Sequence, residues 1–422
     1  MKSSWKSAKL GEFIEILPGF AFKSKDFLLN GVPVVKISNV TPPCVSLEKA
    51  TYVSEEIADQ HSDYILRYGD VLIAMTGSHV EQWSSAVGRV ARVRYNASSL
   101  LNQRVGKVVI RDTSKADLDF IYYFLIQDIV RKELATGATG SASQANISPD
   151  QIKNLEIPRL ELNTQKQISS ILSALDKKIA INKAINKNLE ATAQAIFKSW
   201  FVDFEPFGGV MPADWYNIQL SDIANFVSGY SYKGAELQTS STAMATIKNF
   251  DRNGGFKLDG YKELVPSSKI KPYHYLEKFD VVVAHTDLTQ KAEVIGNAES
   301  ILNFAGYEAI TLSMDLVKVV PKENTVSRFI IAALLKDQRF KSHCMGYVNG
   351  TTVLHLSKKA LPDYSICFPE DLTCLAPLDN ALQVIYLRIA AIIDENQRLS
   401  AIRDALLPKL MSGEIDVSQV KI

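Results

Sequence analysis

The chain contains two copies of one sequence pattern, separated by 210 positions. The segment Pro18 to Lys23 (PGFAFK) returns as Ser228 to Lys233 (SGYSYK). The same offset relates further pairs, namely Ile37 and Ile247, Asn39 and Asn249, Asp70 and Asp280, Thr76 and Thr286, and Gly140 and Gly350. This period is too long for a solenoid repeat, so the sequence predicts two whole domains of one design with approximate two-fold symmetry. Two similar functional sites are the corresponding expectation.

Composition places the chain among ordinary globular proteins. It has 422 residues, of which 46% are hydrophobic and 22% charged, enough for two or three domains with cores of their own. No continuous apolar run approaches the roughly 18 residues that span a bilayer, and Met1 to Trp5 lack the apolar segment of a signal peptide. We therefore expect a soluble, cytoplasmic protein.

Charge and cysteine content point to no particular ligand. Lysine and arginine number 47 against 46 aspartate and glutamate, and the formal net charge is +1. Bulk electrostatics thus do not indicate nucleic acid, and any DNA binding must be local or shared with a partner. The four cysteines show no Cys-x-x-Cys spacing, so we expect no metal site.

Two segments have the period of a coiled-coil seam. Residues 163–200 contain neither glycine nor proline and predict one helix about 57 Å long. Its core-type positions step by four and three through Ile168, Leu172, Leu175, Ile179, Asn182, Asn186, Leu189, Ala193 and Ile196. The pattern recurs at Leu378, Leu382, Ile385, Ile389, Ile392, Asn396, Leu399, Arg403, Leu406 and Leu410.

Two matching seams in one chain suggest each other as partners, and two-fold symmetry makes the pair antiparallel, with the globular domains at opposite ends. Asn182 and Asn396 fall on the seam, where a buried amide fixes register at some cost in stability. The alternative is that these amides lie on a frayed or solvent-facing stretch.

The remaining segments mix short β-branched runs with turn residues, and one helix is predicted in each copy, over Phe120 to Glu133 and Ser327 to Phe340. The fold class is therefore α+β, with two similar globular domains joined by two long helices that form an antiparallel coiled coil. We place the domains at residues 1–160 and 209–372, and the helical spacer regions at 161–208 and 373–422.

The sequence lacks the motifs of base-flipping methyltransferases, P-loop enzymes and dinucleotide-binding enzymes. Thr41-Pro42-Pro43-Cys44 lacks the amide or acid and the aromatic ring of a base-flipping methyltransferase motif, and indicates a proline turn. The chain has no phosphate-binding P-loop and no dinucleotide fingerprint. His285 is a weak candidate for a catalytic base, because its counterpart in the first copy is Met75.

Polar, glycine-flanked loops at strand ends are suited to DNA instead, since lysines take phosphates while amides, hydroxyls and guanidinium groups address base edges. Candidates in the first copy are Phe22, Lys23, Ser24, Lys25, Asn39, Thr76, Ser78, Gln82, Trp83, Gln103, Arg104, Thr139, Ser141 and Gln144. Candidates in the second are Tyr232, Lys233, Lys248, Asn249, Arg252, Thr286, Gln290, Lys291, Asn349, Thr351 and Thr352. For any single loop, the alternative is an ordinary polar turn.

With these parts, nearly the whole chain resembles the specificity (S) subunits of type I restriction-modification enzymes. The resemblance is carried by Lys9 to Glu12 (KLGE), Gly19 to Phe22 (GFAF) and Gly69 to Leu72 (GDVL). The two helix endings add to it, AIFKSWFVDFEPF from Ala195 and RDALLPKLMSGEI from Arg403.

The resemblance implies a non-catalytic subunit with two target recognition domains that bind an asymmetric bipartite DNA site, one half-site each. Two modification (M) subunits would dock on the helical regions and methylate adenine with S-adenosylmethionine. Restriction (R) subunits would add cleavage that depends on ATP and Mg, and this chain would bind no cofactor itself. Because Ser78 to Trp83 has no residue-for-residue match in Asp287 to Ala292, the two half-sites should differ.

Two other functions remain to be weighed. A self-sufficient methyltransferase or nuclease is disfavoured by the missing motifs, and binding of S-adenosylmethionine by the purified chain would revive it. A coiled-coil scaffold whose duplicated domains bind protein would be favoured if protein binding survived removal of both domains.

Overall fold

A computed structural model of the chain describes residues 5–141, 144–252, 254–289 and 291–417. They form two compact units: unit 1 runs up to Lys178 and resumes at Leu399, and unit 2 comprises Ile179–Arg398. Each unit therefore contains one globular domain and one stretch of each long helix. The boundaries predicted for the domains and spacer regions remain a prediction.

Unit 1 is built on two mixed sheets and a smaller antiparallel one. Its strands are β1 Ser7–Lys9, β2 Ile14–Pro18, β3 Val32–Val35, β4 Val40–Thr41, β5 Cys44–Val45, β6 Thr51–Val53, β7 Ile65–Leu66, β8 Val71–Ala74, β9 Thr76–Gly77, β10 Val90–Arg92, β11 Ser99–Leu101, β12 Val105–Ile110, β13 Thr139–Ser141, β14 Gln144–Asn146 and β15 Glu156–Pro158. The strand orders in the three sheets are β2-β12-β8-β10-β5-β4, β6-β3-β11-β7 and β13-β14-β9, and β1 pairs with β15. The helices are α1 Glu55–Gln60, α2 Leu118–Leu125, α3 Asp128–Thr136, α4 Pro149–Lys153 and the long α5 Leu162–Phe201.

Unit 2 repeats this arrangement. Its strands are β16 Trp215–Gln219, β17 Ala224–Ser228, β18 Thr242–Ala245, β19 Lys262–Glu263, β20 Tyr275–Leu276, β21 Val281–Ala284, β22 Thr286–Asp287, β23 Ala298–Ser300, β24 Ala309–Leu312, β25 Leu316–Pro321, β26 Val348–Asn349, β27 Leu354–Leu356 and β28 Ser365–Pro369. The strand orders in the three sheets are β17-β25-β21-β23, β19-β18-β24-β20 and β22-β27-β26, and β16 pairs with β28. The helices are α6 Leu220–Ile223, α7 Arg328–Lys336, α8 Gln338–Met345 and the long α9 Ala376–Ser412.

The duplication read from the sequence is thus confirmed as two copies of one α+β design. Strand β8 begins at Val71 and β21 at Val281, which keeps the offset of 210. The register agrees as well, because Val105 pairs with Ala74 in unit 1 and Leu316 with Ala284 in unit 2. Local departures come from loops: residues 93–98 join β10 to β11, whereas the longer segment 301–308 joins β23 to β24.

The prediction of a single helix in each copy was wrong, because the structure has two successive helices in each region, α2 and α3 in unit 1 and α7 and α8 in unit 2. In unit 2 the break falls at Asp337, whose backbone is extended and whose carboxylate accepts the backbone N–H of Arg339 at 2.8 Å. The side chain thereby starts α8 as an N-cap, a role that the apolar periodicity does not reveal. In unit 1 an extended Gln127 separates α2 from α3.

The long helices complete the core of each unit. In unit 1, Ile168 and Leu172 of α5 are buried in one cluster with Leu407 and Leu410 of α9 and the α2 side chains. In unit 2, Phe197 and Phe201 of α5 share a cluster with the α9 residues Leu378, Leu382 and Ile389 and with α7. The predicted seam positions Leu175, Leu189, Asn396, Leu399 and Leu406 are half-buried, while Ile179, Ile385 and Ile392 are buried.

Within unit 2 the two helices pair antiparallel through amides. Asn182 is 1% exposed, and its Nδ2 donates to Asn396 Oδ1 and Glu395 Oε2, both at 2.9 Å. Further along α5, Asn186 Nδ2 donates to the carbonyl of Ile389 at 3.3 Å, so residue numbers rise on one helix as they fall on the other. The antiparallel coiled coil and its buried amide are confirmed.

The α9 helix is more apolar than the sequence analysis implied. One stretch within residues 372–412 reaches a mean hydropathy of 1.3 and passes a length and composition test for a membrane span. Of this stretch 39% is buried, and the seam residues Leu378, Leu382 and Ile389, inside the unit 2 core, account for part of its apolar character. We interpret α9 as a core helix.

Truncation of the α9 seam should destabilise unit 2. Leu382 is fully buried, and Leu382→Ala should lower the free energy of unfolding by about 2–5 kcal/mol through lost burial and the cavity left behind. Val384 lies two residues away and is 67% exposed, so Val384→Ala is a matched control expected to change stability little. Chemical denaturation followed by circular dichroism measures both. Equal effects would contradict the seam assignment.

Candidate nucleic-acid interface

Main-chain hydrogen bonds bring four loops of unit 1 side by side. The backbone N–H of Gln103 donates to the carbonyl of Phe20 at 3.0 Å, and that of Met75 to the carbonyl of Arg104 at 2.9 Å. On the far side of Met75, its carbonyl accepts from Ile147 at 3.0 Å. Loop 20–25, turn 102–104, loop 76–86 and the paired strands β13 and β14 (139–141 and 144–146) therefore form one continuous edge, which we call recognition edge 1.

Unit 2 builds the same edge with equivalent bonds. Met314 N–H donates to Tyr230 at 2.9 Å, His285 to Asp315 at 2.8 Å, and Leu356 to His285 at 2.9 Å. Loop 230–236, turn 313–315, the described residues of loop 285–292 and hairpin 347–356 form recognition edge 2. Since all these bonds use main-chain atoms, they hold the edge in place and leave the side chains free to differ.

Glycines make the close approaches possible. A Cβ on Gly19 would lie 2.3 Å from the carbonyl oxygen of Leu101, and one on Gly229 would lie 2.0 Å from that of Ser313. At the hairpins, Gly140 has φ +116° and Gly350 has φ +111°, a region that favours glycine. The duplicated glycines are therefore explained by backbone geometry.

Loop 76–86 of edge 1 is well tied down. Arg131 of α3 donates from Nη2 to the carbonyls of Trp83 at 2.7 Å and Ala86 at 2.9 Å. Its guanidinium also lies 4.2 Å from the centre of the Trp83 ring, a cation–π contact. The Ser78 and Ser85 hydroxyls are 2.7 Å apart within the loop. The loop consequently offers a fixed shape for recognition.

Edge 2 carries a different, titratable cluster. His355 pairs with Thr286 in the β27–β22 register, and the Lys262 ammonium lies 5.6 Å from the Tyr232 ring centre. Burial raises the pKa of Asp315, while the charges of Lys262 and His355 and a hydrogen bond from Thr286 act in the opposite direction. The carboxylate thus sits among cationic and hydroxyl groups that stabilise its charge.

His285, the weak candidate for a base, is half-buried, and its backbone N–H donates to the carbonyl of Asp315. Burial, followed by the charges of His355 and Lys358, lowers its pKa. Asp287 next to it is buried and accepts from Thr289 and Val294 backbone N–H groups at 2.8 and 2.9 Å. In the described part of the chain, no group of three or more His, Cys, Asp or Glu residues has the geometry to hold a metal ion.

Most of the DNA-binding candidates lie at the surface. Those with exposed side chains are Lys23, Ser24, Lys25, Gln82, Gln103, Arg104, Thr139, Gln144, Lys233, Lys248, Arg252, Lys291, Asn349, Thr351 and Thr352. Ser78, Trp83 and Tyr232 are half-buried. Gln290 lies outside the described residues, and only the backbone of Ser141, at the end of β13, is described.

Other candidates are inside the fold, and for them direct base contact needs correction. Asn39 and Asn249 are 2% and 0% exposed, and each side-chain amide closes a short 3₁₀ turn. Asn39 accepts from Lys36 N–H at 2.9 Å and donates to the Ser46 carbonyl at 2.9 Å. Phe22, Thr76 and Thr286 are also buried, so we assign all five to the scaffold of the loops.

Lys248 and Arg252 are exposed but belong to neither edge as defined. Lys248 follows the Thr246 cap of the 3₁₀ turn, and Arg252 pairs with Glu293 at 3.3 Å, one residue beyond loop 285–292. Conversely, sequence reasoning missed Lys262, Met314, Asp315 and His355. Turn 313–315 was detectable, since it stands where Gln103 and Arg104 stand in the first copy once one inserted residue is allowed.

Comparison with known proteins shows which family model and which solved fold the chain is similar to. A family model described as the type I restriction modification DNA specificity domain matches residues 2–191. The type I restriction enzyme MjaIX specificity subunit of Methanocaldococcus jannaschii is 24% identical over 321 residues, covering 71% of this chain and 69% of that protein. The MjaVIII specificity subunit of the same organism is 26% identical over 196 residues, covering 46% of this chain and only 44% of that protein, less than half its length.

A solved structure extends the likeness in fold to nearly the full length. The type I restriction-modification system S subunit from M. genitalium aligns over 97% of this chain and 96% of its own, with a TM-score of 0.55 and 15% identity. The duplicated edges and paired helices therefore occur in a known architecture. Residues 2–191 are thus similar to the type I restriction modification DNA specificity domain, and the chain as a whole is similar in fold to a solved specificity subunit.

Proposed function

We propose that this chain selects the DNA target of a type I restriction-modification enzyme by binding an asymmetric bipartite site, one half-site at each recognition edge. The observation that carries the proposal is the pairing of one backbone design with two sets of side chains. Main-chain bonds of 2.8–3.1 Å hold turn 102–104 and turn 313–315 in equivalent positions. The side chains on them differ, as they do between Asn146 and His355, which hold equivalent places on the hairpins, so the half-sites should differ too.

We further propose that the chain performs no chemistry itself. In this proposal M subunits supply S-adenosylmethionine and transfer a methyl group to adenine, and R subunits supply ATP and Mg for cleavage. The formal net charge of +1 fits a shared role, because partner subunits would add many of the salt-sensitive phosphate contacts. The complex acts on cellular DNA, so we place it in the cytoplasm.

The first test is single-molecule sequencing of methylated adenines in cells that express this chain with its M subunit, against cells with M alone. We expect methylation confined to one split motif. If the assembled complex produces no new motif, the proposed DNA role is wrong or the subunit is inactive, and the scaffold alternative gains support.

Docking of M on the helical region is supported by apolar side chains left at the surface of α9. Val384 is 67% and Leu387 45% exposed, and their spacing of three places them on one helix face. Exposed apolar groups on an otherwise polar surface are typical of a protein-binding site.

Charges on that face should weaken M binding. The double variant Val384→Glu with Leu387→Glu buries two carboxylates in the proposed interface, and we expect at least a 10-fold loss of affinity for M with an unchanged circular dichroism spectrum. Val265→Glu, at an apolar residue that is 44% exposed and lies outside the helical regions, adds the same charge elsewhere in unit 2 and is the control. Isothermal titration with purified M measures all three. Wild-type affinity in the double variant would place the M contact elsewhere.

The helices should also set the spacer between the half-sites. Both pass from one unit to the other, α5 after Lys178 and α9 after Arg398. Repeating heptad 172–178 after Lys178 and inserting a copy of the apolar heptad 385–391 after Arg398 preserves the seam without an extra amide, and lengthens each helix by roughly 10 Å, or about three base pairs of DNA. Methylome sequencing should find a spacer longer by about three base pairs with both half-sites unchanged. Altered half-sites would contradict the proposed division of labour.

A further inference from the structure

The two recognition edges present opposite charges at one equivalent turn. In unit 1 the turn before β12 exposes Gln103 and Arg104, and in unit 2 the turn before β25 presents Met314 and Asp315. The equivalence is structural, because the carbonyl of Arg104 accepts from Met75 at 2.9 Å and that of Asp315 from His285 at 2.8 Å. A charge reversal on an otherwise shared backbone indicates a change in what the turn recognises.

The surroundings of each turn suit its own side chain. The side chains of Gln103 and Arg104 are exposed, at a point where loop 20–25 and loop 76–86 meet. Asp315 is half-buried beside Lys262, His355 and the Thr286 hydroxyl. These groups stabilise the carboxylate, and so explain how a negative charge is tolerated on a surface that we propose binds DNA. Thr286 occupies one acceptor site on the carboxylate, and a carboxylate has about four.

Base chemistry distinguishes the two side chains. In the major groove an arginine donates two hydrogen bonds to N7 and O6 of guanine, whereas an aspartate accepts from the N4 amino group of cytosine. A carboxylate facing guanine would bring its acceptor oxygens against the acceptors O6 and N7, and a guanidinium facing cytosine would bring its donors against the N4 amino donor. Each side chain therefore disfavours the base that the other prefers.

We propose that turns 102–104 and 313–315 are specificity-determining elements, with Arg104 reading a guanine in one half-site and Asp315 reading a cytosine in the other. The inference rests on the proposed function and deepens it by assigning a base class to each edge. Met314, which is 52% exposed, replaces the hydrogen-bonding amide of Gln103 with an apolar group, so the neighbouring base should also be read differently in the two half-sites.

Nearly isosteric or shortened variants test the assignment in the complete complex with M. Arg104→Gln should relax a guanine position in one half-site, and Asp315→Asn should relax a cytosine position in the other. Each change should reduce discrimination at that position about 5- to 100-fold, as methylome sequencing reports it. Asparagine can still accept from Thr286, so Asp315→Asn preserves the local fold.

Matched controls lie at the opposite ends of the same strands. Lys115→Gln removes a cation beyond the end of β12, and Glu323→Gln removes a carboxylate beyond the end of β25, and both should leave the motif unchanged. If a variant complex assembles but methylates nothing, selection of bound duplexes from a randomised pool reads the same positions. The proposal is overturned if both half-sites stay at wild-type fidelity, or if the two variants alter the same half-site. Failure of the proposed function itself looks different, since the wild-type complex would then give no motif.

Discussion

Burial of both long helices in each domain core is the interaction on which the rest of the structure depends. The apolar faces of α2 and α7 are covered by helix side chains, Ile168 and Leu407 in unit 1 and Phe197 and Leu382 in unit 2. A domain detached from these helices would expose several fully buried apolar side chains, at about 25 cal/mol per Å². The helices are therefore part of each folding unit. Their continuity also fixes which residues of the chain each unit receives.

Polar contacts then select one register among the many that an apolar seam permits. In unit 2, the Asn182 side-chain amide donates hydrogen bonds to both Asn396 and Glu395. A slip of one heptad would break these bonds and bury an unpaired amide. Unit 1 uses another device: Arg403 donates to Asp176 at 2.8 Å, and the same carboxylate accepts from Tyr123 of α2 at 2.6 Å. That contact ties the helix pair to the domain as well as to each other. The two units thus share apolar packing and differ in the polar groups that align it.

Sequence reasoning recovered the features that local periodicity or the constant offset encodes. The duplication, the long helices and the buried Asn182 were all predicted because each depends on spacing along the chain. Splitting of the predicted helices at Gln127 and Asp337 was missed, because a polar residue within an apolar pattern does not show whether it caps or continues a helix. Assembly of the edges from distant loops was out of reach, since it depends on strand pairings such as Ala145 with Gly77.

The clearest correction concerns what duplication means at a recognition site. Asn39 and Asn249 are identical in both copies, which suggested DNA contact, yet their amides are buried and close 3₁₀ turns. Thr76 and Thr286 are likewise identical and buried. A fold duplicated to read two different sequences must keep the residues that shape the loops and vary those that face the ligand. At these buried positions identity across the offset marks the scaffold, and differences such as Arg104 against Asp315 mark the surface that we propose distinguishes the two half-sites.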